Sequence, residues 1–173
     1  MILVSILAVF ISIFGLLSIL YSTIRTGISP MPSSVNSRLE MMKLVPTDPK
    51  FCIDLGSGWG GLLLQLSKRF PKTKIIGYEI SILPYLYSKW VCRNKNIDIF
   101  RKSYLSVSHP EDTVFFCYLC PSSMKKLAQQ PPEYGWLISH TFALPSHTPV
   151  RSCVCDDVYR TRIYVYDLSV RTH

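Results

Sequence analysis

Apolar residues follow two regimes along this chain. From Met1 to Ile24 they are nearly continuous and no charged residue interrupts them. Beyond residue 50 they come as short runs separated by segments in which they recur every three or four positions. The short runs predict strands at Phe51–Asp54, Lys74–Tyr78, Ile97–Phe100, 113–119 and 136–144, with alternating segments at 153–158 and 162–168 forming a closing antiparallel hairpin. Leu62, Leu63, Leu66 and Phe70 mark a helix that Pro71 stops. Leu83, Leu86, Tyr87, Trp90 and Val91 mark a second helix, and its aromatics read as core. A short helix after Pro121, capped by Ser122 or Ser123, runs to about residue 130. Strands that alternate with helices and end in a strand pair predict a mostly parallel α/β sheet of seven strands.

The opening apolar run, 1–24, is long enough to cross a bilayer, which takes about 20 residues. A cleaved signal peptide would show a basic start, a shorter apolar core and a small-residue cleavage site, and none of these is present. The run therefore reads as a retained transmembrane anchor. Arg25, Arg38 and Lys43 all follow it, so the positive-inside rule assigns the rest of the chain to the cytoplasmic or equivalent inner side. Residues 25–34 include TGISPMPSS, a Gly/Pro/Ser linker, and 35–173 form the folded domain. A helix over 35–45 opens that domain, with Ser33 or Ser34 as N-cap and Val35, Leu39, Met41 and Met42 as its apolar face.

Charge and composition narrow the reading only a little. The 173 residues suffice for one domain, and the net charge of +8 favours an anionic partner or surface. The charge is spread thinly, without the basic stripe interleaved with aromatics that nucleic-acid binders carry, so no nucleic acid is expected. Cys117-x-x-Cys120 and Cys153-x-Cys155 would have to converge to hold zinc, yet Cys117 falls inside a buried strand, so no metal is expected. The four histidines lack ligand spacing, and no G-x-S-x-G nucleophile turn occurs.

The chemistry concentrates at FCIDLGSGWGG, residues 51–61, where a strand ends in Asp54 and breaks into Gly56, Gly58 and Gly60 before the next helix. Alternating glycines let the main chain turn tightly and lie against a ligand, and a helix N-terminus offers free N–H groups. Glu79 ends the second strand 25 residues after Asp54, the place from which an acid can accept both ribose hydroxyls. Gly56, Gly58 and Gly61 also satisfy G-x-G-x-x-G, so a dinucleotide-dependent oxidoreductase of the NAD type is the alternative enzyme. Against it, Asp54 would crowd a pyrophosphate, and the chain leaves no room for a separate substrate domain. An inactive, membrane-tethered binding module of the same fold is the non-enzyme alternative.

DLGSGWG at 54–60, the acid in IIGYEIS at 75–81, VFFCYLCPS at 114–122 and the terminal RIYVYDL together resemble class I (seven-β-strand) S-adenosylmethionine-dependent methyltransferases, with their Rossmann-like sheet. The N-terminal apolar run and the Tyr-Leu-x-Pro-Ser block are similar to the small membrane-anchored protein-lysine methyltransferases, associated with the adenine nucleotide translocator and the ATP synthase c-subunit. The resemblance implies S-adenosylmethionine as cofactor and a protein substrate, a membrane protein among the expectations. It places Asp54 at the methionine end of the cofactor, Gly56, Ser57, Gly58 and Gly60 along its backbone cradle, Glu79 on the ribose and Ile80 on the adenine. Tyr118 and Pro121 fall near the transferring methyl; Tyr118 is the candidate for orienting the amine, with a plain core tyrosine as the other reading. Many relatives end the third strand in an acid that holds the adenine amino group. Lys102-Ser103 stand there instead, and Ser103 is left as the substitute. The reaction implied is an in-line displacement at a sulfonium methyl without a metal.

Overall fold

The computed structural model describes residues 2–26, 33–46, 48–93, 95–106 and 109–169. The chain divides into two compact units, Met1–Met31 and Pro32–His173. Among its described residues the first is one helix, α1 (Ile2–Thr26). Within it, Ile2–Tyr21 is long and apolar enough to cross a membrane. At about 1.5 Å per residue, 20 helical residues match a hydrocarbon core of about 30 Å. Two of its hydroxyls are satisfied inside the helix: Ser12 Oγ donates to the Ala8 carbonyl and Thr23 Oγ1 to the Ile19 carbonyl, both at 2.9 Å. Such back-bonding removes the cost of exposing a hydroxyl to lipid. The linker expected over 25–34 lies largely outside the described residues.

The second unit is a three-layer α/β domain. Its elements run α2 (Val35–Lys43), β1 (Phe51–Asp54), α3 (Gly61–Arg69), β2 (Lys74–Tyr78), α4 (Ile82–Cys92), β3 (Ile97–Phe100), β4 (Thr113–Cys117), α5 (Pro121–Gln129), β5 (Trp136–His140), β6 (Arg151–Val154) and β7 (Arg162–Asp167). The seven strands form one sheet in the order β3-β2-β1-β4-β5-β7-β6. The first five are mutually parallel, and β7 runs against both β5 and β6. This is the mostly parallel α/β sheet with a C-terminal antiparallel pair that the sequence pattern predicts.

The central strands β1, β4 and β5 read as continuous apolar runs because both faces of the sheet are covered there. Alternate residues belong to two cores: Cys52, Val114, Phe116, Ile138 and Ile163 pack with Met41, Leu62, Leu63 and Leu66 of α2 and α3. Ile53, Phe115, Cys117, Leu137 and Tyr166 pack on the other face with Met124 and Leu127 of α5. Gly77 in β2 lets α3 approach the sheet, since a Cβ there would come within 2.7 Å of Leu63 Cδ1.

Three local expectations are corrected. In α2 the buried face is Ser37, Met41 and Met42, whereas Val35 and Leu39 are exposed. Ser34 is the N-cap, its Oγ accepting the Ser37 N–H at 3.0 Å. In α4 the buried residues are Pro84, Ser88 and Cys92, and the stripe read as core (Leu86, Tyr87, Trp90) faces solvent. β5 ends at His140 rather than 144, because Thr141 takes a φ of 72°, outside the extended region.

Candidate cofactor and methyl-transfer site

The chain runs outward from β1 to β2 and β3, then returns to lay β4 and β5 on the opposite side of β1. The crevice beyond the carboxyl ends of β1 and β4 is therefore the topological switch point, where open α/β sheets bind ligands. Asp54 ends β1, Glu79 follows β2, Ser103 follows β3, Tyr118 follows β4 and His140 ends β5. Five separate elements thus bring five polar residues to one end of the sheet.

The glycine turn is strapped to the end of β2. Ser57 N–H donates to the Tyr78 carbonyl and Gly58 N–H to Glu79 Oε2, both at 2.9 Å. Glu79 Oε1 accepts the Ser81 N–H at 2.6 Å. Each carboxylate oxygen keeps a second lone pair, so Glu79 can hold the turn and still accept from two hydroxyls. Gly58 has a φ of +49° and open space where a Cβ would stand, the geometry of a main chain that a ligand can approach. Gly56 and Gly60 face protein instead: a Cβ on Gly56 would meet Leu119, and one on Gly60 would meet Ser88 of α4. The Gly60 N–H is taken by the Ser57 carbonyl at 2.9 Å. Ser57 is buried, and its Oγ has no partner.

Asp54 is buried, and its Oδ1 accepts the Gly56 N–H at 3.2 Å. Burial pushes its carboxyl up to about 7; the Gly56 N–H opposes that shift and the charge of Glu79 adds to it. Ile80 is half exposed beside Glu79, an apolar platform at the rim. Ser103 accepts the Leu105 N–H at 3.3 Å, so its hydroxyl is already engaged in a turn. Lys102 lies over the rings of Phe100 and Tyr78, with Nζ 5.1 and 5.7 Å from their centroids.

At the other end of the crevice the Tyr118 ring meets the His140 ring edge-on, with centroids 4.5 Å apart. His140 is buried, its Nδ1 lies 2.9 Å from Thr141 Oγ1, and its Nε2 is buried without a partner. Burial holds the imidazole down to about 4, against an opposing pull from Asp157, so it is neutral at pH 7. Pro121 is exposed at the first position of α5.

The sequence pattern marks neither of two further residues here. His140 falls inside the apolar run 136–144, and Arg38 reads only as a charge flanking the apolar N-terminal run. The guanidinium of Arg38 lies against Gly61, at the start of α3, where a Cβ would be 3.0 Å from Nη1. Its Nη1 donates to the Ser33 carbonyl, its Nε is buried without a partner, and burial lowers its pKa. None of the described ion pairs includes it. A partly buried guanidinium outside any described ion pair, next to a helix N-terminus, has the charge and donors to receive an anionic group.

The sequence profile of a family described as the ANTKMT methyltransferase domain matches residues 54–151, more than half of the chain. Among solved structures, an RNA methyltransferase from Salinibacter ruber in complex with S-adenosyl-L-homocysteine is similar over 83% of this chain and 97% of that one, with a TM-score of 0.70 and 19% identity. An uncharacterized protein from Listeria monocytogenes covers 82% of this chain and 70% of its own, with a TM-score of 0.63 and 14% identity. A tRNA methyltransferase from B. subtilis covers 79% and 66%, with a TM-score of 0.61 and 13% identity. No curated protein matches the chain in sequence.

Proposed function

This chain belongs to the ANTKMT methyltransferase domain family, and from that premise we propose that it methylates lysine side chains of membrane proteins while held at the bilayer by Ile2–Tyr21. Its fold is that of class I S-adenosylmethionine-dependent methyltransferases, and S-adenosylmethionine is its cofactor. When bound, the cofactor supplies a methyl group on a sulfonium, which passes in line to an incoming nitrogen as S-adenosylhomocysteine departs.

The residues at the switch point fit that cofactor in charge and shape. Asp54, once ionised, pairs with its positive end. Arg38 receives the α-carboxylate, Gly58 presents bare main chain, and Glu79 takes the two ribose hydroxyls. Ile80 covers the adenine. Tyr118 orients the incoming amine, and neutral His140 stands behind it; with Nδ1 donating to Thr141 Oγ1, Nε2 carries the lone pair that accepts a hydrogen bond. So weak a base does not strip a lysine ammonium. The ammonium gives its proton to bulk water as it enters, because partly buried surroundings disfavour the charged amine, and positioning supplies the rest of the rate. The observation that carries the reading is the Glu79–Gly58 hydrogen bond, which ties the second acid to the glycine turn at the switch point.

Calorimetric titration of the full chain in detergent is the test. Glu79→Ala and Asp54→Ala should each weaken S-adenosylmethionine binding at least about a hundredfold, the loss of a charge-assisted contact in a desolvated site, while circular dichroism stays unchanged. Unchanged affinity in both variants would sink the assignment. Radiolabelled methyl should appear on lysine, located by mass spectrometry, when solubilised membrane proteins are supplied. Tight binding without any transfer would favour the inactive module.

A further inference from the structure

The outer face of α4 is apolar, which is unusual for a helix lying on a sheet. At about 100° per residue, Ile82, Leu86 and Trp90 form a line diametrically opposite the buried line of Pro84, Ser88 and Cys92. Ile82, Leu86 and Trp90 are 53%, 55% and 61% exposed, and Ile80 and Tyr87 beside them are about half exposed. The helix contains no acid. Lys89 and Arg93 flank the line, with Arg93 lying 5.3 Å over the Trp90 ring, and neither joins a described ion pair.

We propose that this face of α4 docks on the surface of an anionic bilayer and so sets the orientation of the cofactor crevice towards the membrane. The proposal rests on the reading of Ile2–Tyr21 as a span, which keeps the domain within a short tether of lipid. Its chemistry is interfacial: a Trp and a Tyr that suit the headgroup level, Ile and Leu to enter the acyl boundary, and cations to meet anionic headgroups. A second copy of this chain fits less well. A two-fold contact along this line would bring Lys89 and Arg93 of both copies together with no acid between them. The link to the site is direct, since Trp59 of the glycine turn packs edge-on against Tyr87 at 5.4 Å and Gly60 backs onto Ser88.

The fragment 32–173 is a compact unit that carries the whole sheet and both cores, so the fragment can be tested alone. It should sediment with phosphatidylcholine vesicles that contain phosphatidylserine, and much less with phosphatidylcholine alone. Replacing Ile82, Leu86 and Trp90 together by Ser should reduce that partition by about tenfold or more, leaving S-adenosylmethionine affinity unchanged. Lys89→Gln with Arg93→Gln should remove the preference for anionic vesicles. No partition, or equal partition by the triple variant, overturns the proposal. So does a solution dimer that the triple variant abolishes, which would give the face to a second copy. Alkaline extraction of the full chain from membranes tests the span separately. A full chain that resists extraction beside a fragment that ignores vesicles defeats the docking and leaves the span standing.

Discussion

Asp54 and His140 are both buried, but they titrate in opposite senses, and their pH signatures can be separated. Asp54 is raised to about 7 by burial, so the folded chain holds a proton that the unfolded chain has lost. Its contribution to stability is full below about 4 and declines as pH rises towards 7. His140 is lowered to about 4 by burial, so the unfolded chain takes up a proton the folded chain refuses. Its contribution is full above about 6.5 and declines as pH falls towards 4. Between pH 4 and 6.5 the two slopes, each at most about 1.4 kcal/mol per pH unit, largely cancel. Asp54→Asn should therefore melt at a temperature that rises with pH across this window, and His140→Phe at one that falls. Parallel melting profiles for the two variants would refute the assignment. Cofactor binding has its own sign. A cationic ligand favours ionised Asp54, so the wild-type affinity should rise by up to about tenfold per pH unit below pH 7 and level off above it. In Asp54→Asn the affinity should be weak and flat.

At the scale of elements, the glycines separate structural from binding roles. Gly135 has a φ of +101°, and a Cβ there would collide with the Thr113 carbonyl oxygen of the neighbouring strand. Backbone cannot give way, so Gly135→Ala should cost about 3 kcal/mol or more by chemical denaturation. Gly58 has positive φ but open space, so Gly58→Ala should cost only about 1 kcal/mol of stability while weakening the cofactor. Equal destabilisation by both would show that Gly58 is not a free rim of the crevice. Ser34→Ala, which removes the α2 cap, should cost about 1 kcal/mol and leave binding unaffected.

Strands β1, β2 and β3 were legible to the residue, because each is a short apolar run bounded by turn residues, continuous in buried β1 and alternating in edge strand β3. Asp54, the glycine turn and Glu79 were legible with them, since a strand tip, a glycine break and a second strand tip fix their places. What the sequence concealed was direction. Apolar spacing in α4 marks a helix but does not say which of its two lines is buried, and the small residues Pro84, Ser88 and Cys92 took the inside because α3 and Gly60 crowd it. The end of β5 depended on one backbone angle at Thr141, and with it went the recognition of His140.

At the scale of the whole chain, the proposed function divides the work of catalysis between a tethering span and a chemical domain. All polar groups assigned to the cofactor lie between Arg38 and His140, within the second unit. Removing 2–26 should therefore leave S-adenosylmethionine affinity and the rate on a soluble lysine peptide unchanged. The span acts only on encounter. Confining enzyme and substrate to one bilayer raises their effective concentration, a gain of about 10²–10⁴ for well-matched tethers. Transfer to a bilayer-embedded substrate should fall by a factor of that order in the truncated chain, chiefly in kcat/KM at low substrate. The fall should be recovered by fusing an unrelated transmembrane helix to residue 32, because the tether needs hydrophobic length and no particular side chain. Recovery with such a helix would separate anchoring from substrate recognition. Failure to recover, with the fused chain fully membrane-bound, would mean that Ile2–Tyr21 itself contacts the substrate within the membrane.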